Sequence, residues 1–204
     1  MKYKWLNKND NNREVIIFFN GWGMDDCVIK HLDSENYNIL MFYDYNDLVF
    51  DFKSFDFDLY AKRYLIAWSM GVMVATNFDI KYDKKIAING TLLPINNQFG
   101  IPERIYRLTL NGFNQNGAEK FIKSMFNEDC ILPQICRDFE DQKSELEAIT
   151  HYQAKKDFKY DKIILSSDDK IIPTKNQIAF WGIKPNIDSG HAPFNHFKKW
   201  SELL

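Results

Sequence analysis

Ser69 lies in the run Ala-Trp-Ser-Met-Gly at residues 67–71, a pattern that suits a nucleophilic serine. Residues 63–68 are apolar enough for a buried strand, and helical spacing follows the serine directly. A serine on such a strand-to-helix turn is strained, and its neighbours two positions away must be small because strand and helix pass closely. Gly71 meets this demand, whereas Ala67 adds one methyl group. The run predicts an ester-cleaving serine; a serine that only caps the helix is the alternative.

A serine nucleophile needs a histidine base and an acid that orients the base. In the α/β-hydrolase fold the acid and then the histidine follow the serine along the chain. His191 follows the last predicted strand and precedes the last predicted helix, so a loop would bring it beside Ser69. His196 is the competing histidine, but it lies inside that helix. We therefore predict that His191 is the base.

Two carboxylates follow the predicted strand 162–166 and compete for the role of the acid, Asp168 and Asp169. In this fold the acid commonly stands four residues before a proline, and Asp169 stands four residues before Pro173. This spacing favours Asp169. The alternative, Asp168, would then be a loop carboxylate in solvent or in a turn.

Backbone N–H groups that stabilise an oxyanion are expected from two loops. The residue after the nucleophile, Met70, places its N–H at a helix N-terminus, where negative charge is favoured. The second donor comes from the loop after an early strand, where Asn20-Gly-Trp-Gly-Met24 is found. Glycines on both sides let the chain turn tightly with the Trp22 N–H directed inward. A glycine-rich turn around a buried tryptophan is the structural alternative.

Several runs together resemble the esterases of biotin synthesis that remove the methyl group from pimeloyl-acyl-carrier-protein methyl ester. Gly-Trp-Gly at residues 21–23, Trp-Ser-Met-Gly at 68–71 and His-Ala-Pro-Phe at 191–194 are similar to loops of the BioH enzyme. The short chain, with Phe-Asn-Gly-Trp-Gly-Met-Asp at 19–25 and Ala-Ile-Asn-Gly-Thr at 87–91, is more similar to the BioG type.

The resemblance implies a mechanism. Ser69 attacks the methyl ester carbonyl, His191 takes its proton, Asp169 fixes the imidazole, and the N–H groups of Trp22 and Met70 hold the oxyanion. Methanol leaves and water hydrolyses the acyl-enzyme, which requires neither a metal nor an organic cofactor. Two departures from the family pattern concern local backbone shape, namely Ala67 in the turn and Ser166 where a glycine often precedes the acid.

The resemblance also implies an acidic partner, the acyl carrier protein that carries the pimeloyl methyl ester. Basic residues on two predicted helices would then face this partner, namely Arg104, Arg107, Lys120 and Lys123. A solvated helix face explains the same residues. Apolar residues of these helices would line a channel for the acyl chain or pack on the core, namely Ile105, Leu108, Phe113 and Phe121.

Alternation of strands and helices predicts an α/β-hydrolase fold with a mostly parallel sheet and helices on both faces. Predicted strands cover residues 14–21, 37–43, 63–68, 85–89, 162–166 and 183–187. Predicted helices cover residues 25–32, 70–78, 174–181 and 193–204, and a loop with a short helix covers residues 44–61. The stretch from about 95 to 160 is too long for a structureless loop and predicts a helical cap insertion within a single domain, 1–204, with helix-compatible spacing at 102–113, 117–126 and 130–150.

Composition limits the class of protein. The chain has 204 residues, 45% of them hydrophobic, and a net charge of −2, which argues against nucleic-acid binding through a broad basic face. Cys27, Cys130 and Cys136 show neither a disulfide framework nor a zinc spacing. No apolar run is long enough to span a bilayer, and the first ten residues lack the apolar stretch of a signal peptide. We therefore expect a cytoplasmic monomer without membrane contact.

Three functions remain open. The first is the carrier-protein methyl esterase. The second is a general small-molecule carboxylesterase, thioesterase or C–C hydrolase, which uses the same three residue types. The third is a non-catalytic binding protein on a hydrolase fold.

Overall fold

A six-stranded sheet in the order β1-β3-β2-β4-β5-β6 forms the centre of the computed structural model, which describes residues 1–52, 55–126 and 133–204. The strands are β1 (Lys2–Asn7), β2 (Glu14–Phe19), β3 (Tyr37–Tyr43), β4 (Lys62–Trp68), β5 (Lys84–Ile88) and β6 (Lys162–Ile164). β1 pairs with β3 in the antiparallel direction, and every other neighbouring pair is parallel. The predicted α/β-hydrolase fold with a mostly parallel sheet is confirmed.

The apolar runs of the central strands reflect burial on both faces of the sheet. In β2, Val15, Ile17 and Phe19 belong to the core on one face. Ile16 and Phe18, which alternate with them, belong to the core on the other. A strand covered on both faces has no solvent side, so its sequence shows no polar alternation.

The two faces are covered differently. The helices are α1 (Gly71–Val74), α2 (Glu103–Gly112), α3 (Gln115–Ser124), α4 (Phe139–Ile149) and α5 (Thr174–Trp181). Val72 of α1, Tyr106 of α2 and Leu146 of α4 join the first core. The second core is covered largely by 3₁₀ turns at Asp26–Val28, Pro193–His196 and Trp200–Leu203.

One strand that the sequence does not predict, β1, lies at the sheet edge. The first three residues of β1 are exposed and the last three are half-buried, so the strand lacks the continuous apolar run of a buried strand. The predicted strand 183–187 is wrong, because only Ile187 forms a bridge, to Ser166. The backbone N–H groups of Asn186 and Ile187 donate to the Leu165 carbonyl. The Asn186 side chain adds two bonds: Nδ2 donates to the Ile163 carbonyl at 2.8 Å, and Oδ1 accepts from the Leu165 N–H at 2.9 Å.

The predicted helix 193–204 is also wrong, because it is divided into two 3₁₀ turns. Between them Lys199 forms a parallel bridge with Asp33. The Asp33 N–H donates to the Lys198 carbonyl, and the Trp200 N–H donates to the Asp33 carbonyl. These bonds hold the chain extended there, so a continuous helix cannot form.

Other predicted helices are shorter in the structure or shifted by a few residues. Helix α1 replaces the first part of 70–78 and is followed by a 3₁₀ turn at Ala75–Asn77, and the predicted helix 25–32 is reduced to a 3₁₀ turn at Asp26–Val28. The short helix predicted within the loop 44–61 is a 3₁₀ turn at Phe57–Leu59. Helices α2, α3 and α4 correspond to the predicted helical segments 102–113, 117–126 and 130–150. Residues 130–132 of the last segment lie outside the described residues. We call α2, α3 and α4, which lie between β5 and β6 in the chain, the inserted helices.

The sheet topology determines where a site can form. From β2 the chain crosses to β3 on one side, and β4 pairs with β2 on the other. Loops that leave the carboxyl ends of β2 and β4 therefore diverge and leave a crevice between them. Trp22 follows β2 and Ser69 follows β4, so both lie at this crevice.

Candidate active site

Ser69 occupies a tight turn between β4 and α1 with a left-handed backbone, φ 57°. Its N–H donates to the carbonyl of Ile88 at the end of β5, which ties the turn to the neighbouring strand. A positive φ is uncommon for a residue with a side chain, and the backbone strain that it carries is found mostly at functional sites.

The residues two positions before and after Ser69, Ala67 and Gly71, are small for different structural reasons. A Cβ atom on Gly71 would lie 2.4 Å from the carbonyl oxygen of Phe19, so only glycine lets α1 start this close to β2. Ala67 lies inside β4, opposite Phe19 and Ala87 of the flanking strands, and is fully buried in the core they share. Its methyl group fills that core, which accounts for alanine at this position.

His191 connects Ser69 to Asp169 by hydrogen bonds. Its Nε2 lies 2.8 Å from the Ser69 Oγ, and its Nδ1 lies 2.7 Å from the Asp169 Oδ2. All three side chains are buried. A carboxylate only accepts, so Nδ1 carries the proton, and Nε2 is left to accept the serine hydroxyl proton. This arrangement is what a general base needs before it activates a hydroxyl.

Asp169 is held by donors on all sides. Besides His191, its carboxylate accepts from the backbone N–H groups of Ile171 at 2.9 Å and Ile172 at 3.0 Å, and from Nε2 of Gln177 at 2.8 Å. Asp168 is more than half exposed and pairs with Lys170 at 3.4 Å. Of the two candidate carboxylates, the structure brings Asp169 to the histidine and leaves Asp168 in solvent.

Asn89 is a buried polar residue at this site that residue types alone do not single out. Its Nδ2 lies 2.9 Å from the carbonyl oxygen of His191, 3.1 Å from that of Gly190 and 2.7 Å from the Oγ of Ser166. Its Oδ1 accepts from the Ser166 N–H at 2.8 Å. Asn89 also has a positive φ of 41°, which asparagine tolerates better than most residues. The sequence signals at this position are an Asn-Gly pair directly after an apolar strand and the family resemblance of the run at 87–91.

Trp22 and Met70 both line the cavity beside Ser69. Among the described residues, neither backbone N–H donates a hydrogen bond to another group of the protein. The Trp22 indole packs against the rings of Phe113 and Phe121, with centroids 5.0 and 4.7 Å away. The loop after β2 is thus fastened to the inserted helices, and two backbone donors stay free to bind an anionic oxygen.

A cavity of about 440 Å³ opens beside Ser69 and His191. Its walls are mainly apolar, and they include the four residues that the sequence suggests for a channel: Ile105, Leu108, Phe113 and Phe121. Ile105 and Leu108 remain about half exposed, at 51% and 59%, so they stand at the mouth. The apolar walls of the cavity suit an apolar group.

The four predicted basic residues are exposed and lie on α2 and α3. Lys120 lines the cavity itself. Arg104 and Arg107 line a shallow groove on the outside of α2 that shares Leu108 with the cavity. Arg107 also lies 3.9 Å from Glu103, an exposed pair of little energetic weight.

No cluster of three or more His, Cys, Asp or Glu side chains suited to a metal ion occurs among residues 1–52, 55–126 and 133–204. In the same ranges none of the helices has the length and hydropathy to cross a bilayer.

Comparisons with known proteins agree with this geometry. The family model described as pimeloyl-ACP methyl esterase BioG, where ACP is acyl carrier protein, matches residues 1–203. The crystal structure of BioG from Haemophilus influenzae is similar over 100% of this chain and 99% of that one, with 32% identity and a TM-score of 0.87.

Two further proteins are similar over most of the chain. Malonyl-[acyl-carrier protein] O-methyltransferase from Bacteroides fragilis is 36% identical over 183 residues, covering 83% of this chain but 36% of that protein. Most of the methyltransferase therefore lies outside the match. A thermophilic esterase from Thermogutta terrifontis has a TM-score of 0.62 at 15% identity, covering 94% of this chain and 86% of that one, a likeness in fold alone.

Proposed function

The chain belongs to the pimeloyl-ACP methyl esterase BioG family, and on this premise we propose that it hydrolyses the methyl ester of pimeloyl-acyl carrier protein with Ser69 as nucleophile. The observation that carries the proposal is the buried chain of hydrogen bonds from Asp169 through His191 to Ser69, which ends at an apolar cavity. The proposed nucleophile, base and orienting acid are therefore joined by direct hydrogen bonds.

In the proposed reaction, the Ser69 Oγ attacks the ester carbonyl carbon while its proton passes to His191 Nε2. The carbonyl oxygen becomes an oxyanion and accepts from the N–H groups of Trp22 and Met70. The C–O bond to methoxide then breaks, and the proton on His191 leaves with it as methanol. Asp169 keeps the imidazole oriented and stabilises its transient positive charge.

The second half of the proposed reaction releases the acid. A water molecule gives a proton to His191 and attacks the acyl-enzyme carbonyl. The bond to Ser69 Oγ breaks, and the serine recovers its proton from the imidazolium. The product is a pimeloyl group that ends in a carboxylate and is still attached to its carrier at the other end. None of these steps requires a metal or an organic cofactor.

The cavity supports an acyl chain bound along its length. Methylene groups gain about 0.8 kcal/mol each when they leave water for apolar walls. A chain with its methyl ester at Ser69 would run toward Ile105 and Leu108, and its thioester end would emerge near Lys120. We propose that the exposed cations Arg104, Arg107, Lys120 and Lys123 attract the acidic carrier there.

The name of the Bacteroides relative also supports a carrier-linked substrate, since that methyltransferase acts on a malonyl-acyl carrier protein. We do not carry methyl transfer over to this chain, because the match covers 36% of that protein. An acyl carrier protein as partner would place the reaction in the cytoplasm. A monomer would suffice, since one chain supplies all three residues that we propose for the triad.

Methanol release from purified pimeloyl-acyl carrier protein methyl ester tests the proposal. We expect turnover by the wild type and a loss of at least about 10³-fold in Ser69→Ala. Ser144→Ala, at an exposed position on α4, is the matched control and should keep full activity. Retained turnover in Ser69→Ala would overturn the role of the serine. Much faster hydrolysis of small free esters than of the carrier-bound ester would favour a general esterase.

A further inference from the structure

The loop that carries Trp22 is joined to helix α4 by a buried carboxylate. Glu145 of α4 is fully buried. Its Oε2 accepts from the N–H of Gly23 at 3.1 Å, and its Oε1 accepts from the N–H of Tyr45 at 2.9 Å. One side chain of the inserted helices therefore holds both the loop after β2 and the loop after β3.

Gln142 binds the same residue, Gly23, through the next peptide group. Its side-chain Nε2 donates to the carbonyl oxygen of Gly23 at 3.2 Å, and its backbone carbonyl accepts from the Trp22 indole Nε1 at 2.7 Å. Gln142 and Glu145 are three residues apart, so they share one face of α4. Gly23 has a φ of 72°, a left-handed conformation that favours glycine. The direction of the peptides beside Trp22 is thus set by α4.

The carboxylate of Glu145 is also part of a buried charge cluster. Burial raises its pKa, and the guanidinium of Arg137, at 2.5 Å, opposes this rise. Arg137 in turn contacts Asp141 at 2.7 Å and Asp44 at 3.4 Å, and Asp44 pairs with Lys2 at 2.6 Å. An ion pair buried this deeply is weak evidence for stability, because desolvation offsets most of its attraction. Its contacts with the loop backbone suggest another use.

We propose that Glu145 is a positioning residue of the esterase, which holds the Gly23 N–H so that the preceding N–H, that of Trp22, faces the cavity beside Ser69. The inference rests on the proposed function, since it assigns the Trp22 N–H to the oxyanion. Glu145 touches no reacting atom and acts only through this loop.

Chemistry explains why a carboxylate is needed at this position. An ionised carboxylate only accepts, and Glu145 faces two N–H donors and a guanidinium. An amide of the same shape would turn its NH₂ group toward at least one of these donors. The loop would then shift, and a donor to an oxyanion loses most of its effect when it moves out of reach. Removal of one such donor lowers kcat by about 10²–10³-fold in other acyl-transfer enzymes.

Glu145→Gln is the test, measured with the full chain on p-nitrophenyl butyrate. We expect kcat to fall by about 10-fold or more with KM within about two-fold of wild type, a partial loss of the donor effect. A trifluoromethyl ketone, which forms an oxyanion on the serine, should lose affinity by a similar factor. Glu147→Gln makes the same chemical change at an exposed position of α4 and should match wild type in both measurements.

Several outcomes would overturn the inference. A folded Glu145→Gln with wild-type kcat would do so, and so would a fall in kcat without a parallel loss of ketone affinity. If thermal unfolding shows that Glu145→Gln does not fold, the same two measurements on Gln142→Ala test the inference. Gln142→Ala removes the side-chain bonds to the Gly23 and Arg137 carbonyls and leaves Glu145 in place, so kcat and ketone affinity should fall together by a few-fold. Wild-type values would overturn the inference. Failure of the proposed function is separate, since it would appear as retained activity in Ser69→Ala.

Discussion

The indole Nε1 of Trp68 donates a hydrogen bond of 2.9 Å to the carbonyl oxygen of His191. Both residues are buried, and their rings lie 5.5 Å apart. The residue before the proposed nucleophile therefore also supports the loop of the proposed base, although the two are 123 positions apart in sequence. Distances between the three residues of the proposed triad depend on such supporting contacts as well as on the bonds between the three side chains.

Asn89→Ala should disturb the histidine loop without changing a side chain of the proposed triad. It removes the partners of the buried Gly190 carbonyl and Ser166 N–H, whereas the His191 carbonyl keeps its bond from Trp68. Each unsatisfied buried group costs about 1–3 kcal/mol, so the free energy of unfolding should fall by about 2–3 kcal/mol. Denaturant unfolding measures this change, and kcat should fall in parallel. Asn36→Ala, at an exposed turn, serves as the control; equal stability of the two variants would contradict the prediction.

Asp169→Asn should leave the protein folded but nearly inactive. An amide whose oxygen keeps the bonds from the Ile171 and Ile172 N–H groups would turn its NH₂ group toward His191 and favour the wrong tautomer. In a serine protease the equivalent change lowers kcat by about 10⁴-fold. The rate of p-nitrophenyl ester hydrolysis checks this. Asp168→Asn changes the neighbouring exposed carboxylate and should retain activity; the opposite ranking would reassign the acid.

Gly71→Ala should disrupt the turn at Ser69. The added Cβ would lie 2.4 Å from the Phe19 carbonyl oxygen, which belongs to backbone and cannot move aside alone. We expect a loss of stability of several kcal/mol and loss of activity. Gly112→Ala is the matched control, because a Cβ there meets nothing within 4 Å. That variant should be as stable as wild type or up to about 1 kcal/mol more stable. Thermal unfolding compares them, and an intact Gly71→Ala would refute the close approach.

Arg104→Glu combined with Arg107→Glu tests the basic surface of α2. Both side chains are exposed, so the fold should not change. Loss of electrostatic attraction should lower kcat/KM for the carrier-bound ester by about 10-fold or more at low salt, an effect that added salt would shrink. Hydrolysis of a small free ester by the same variant is the internal reference and should stay constant. If kcat/KM for the carrier-bound ester changes no more than kcat/KM for the free ester, these arginines take no part in partner binding.

Much of the fold can be predicted from the sequence because the central strands are apolar on both faces. The runs around Ile16, Leu40 and Ile66 have no other stable location than a covered parallel sheet. Edge elements are less predictable. β1 is half solvated, and the segment around Asn186 is held next to Leu165 partly by side-chain bonds that no periodicity reveals. The 3₁₀ turns after Pro193 depend on pairing with Asp33, which is distant in the chain.

The sequence by itself determined the family, the hydrolase fold and the serine turn, because these depend on local residue types and their order. Only the tertiary structure decided that Asp169 rather than Asp168 faces His191, since the two differ by the path of one loop. It alone brought Asn89, Gln177 and Glu145 to the site. Their contacts join residues up to 122 positions apart, and no local pattern encodes which buried donor meets which acceptor. Ser69 is recognisable from its neighbours, but the groups that hold its partners in place are brought together only by folding.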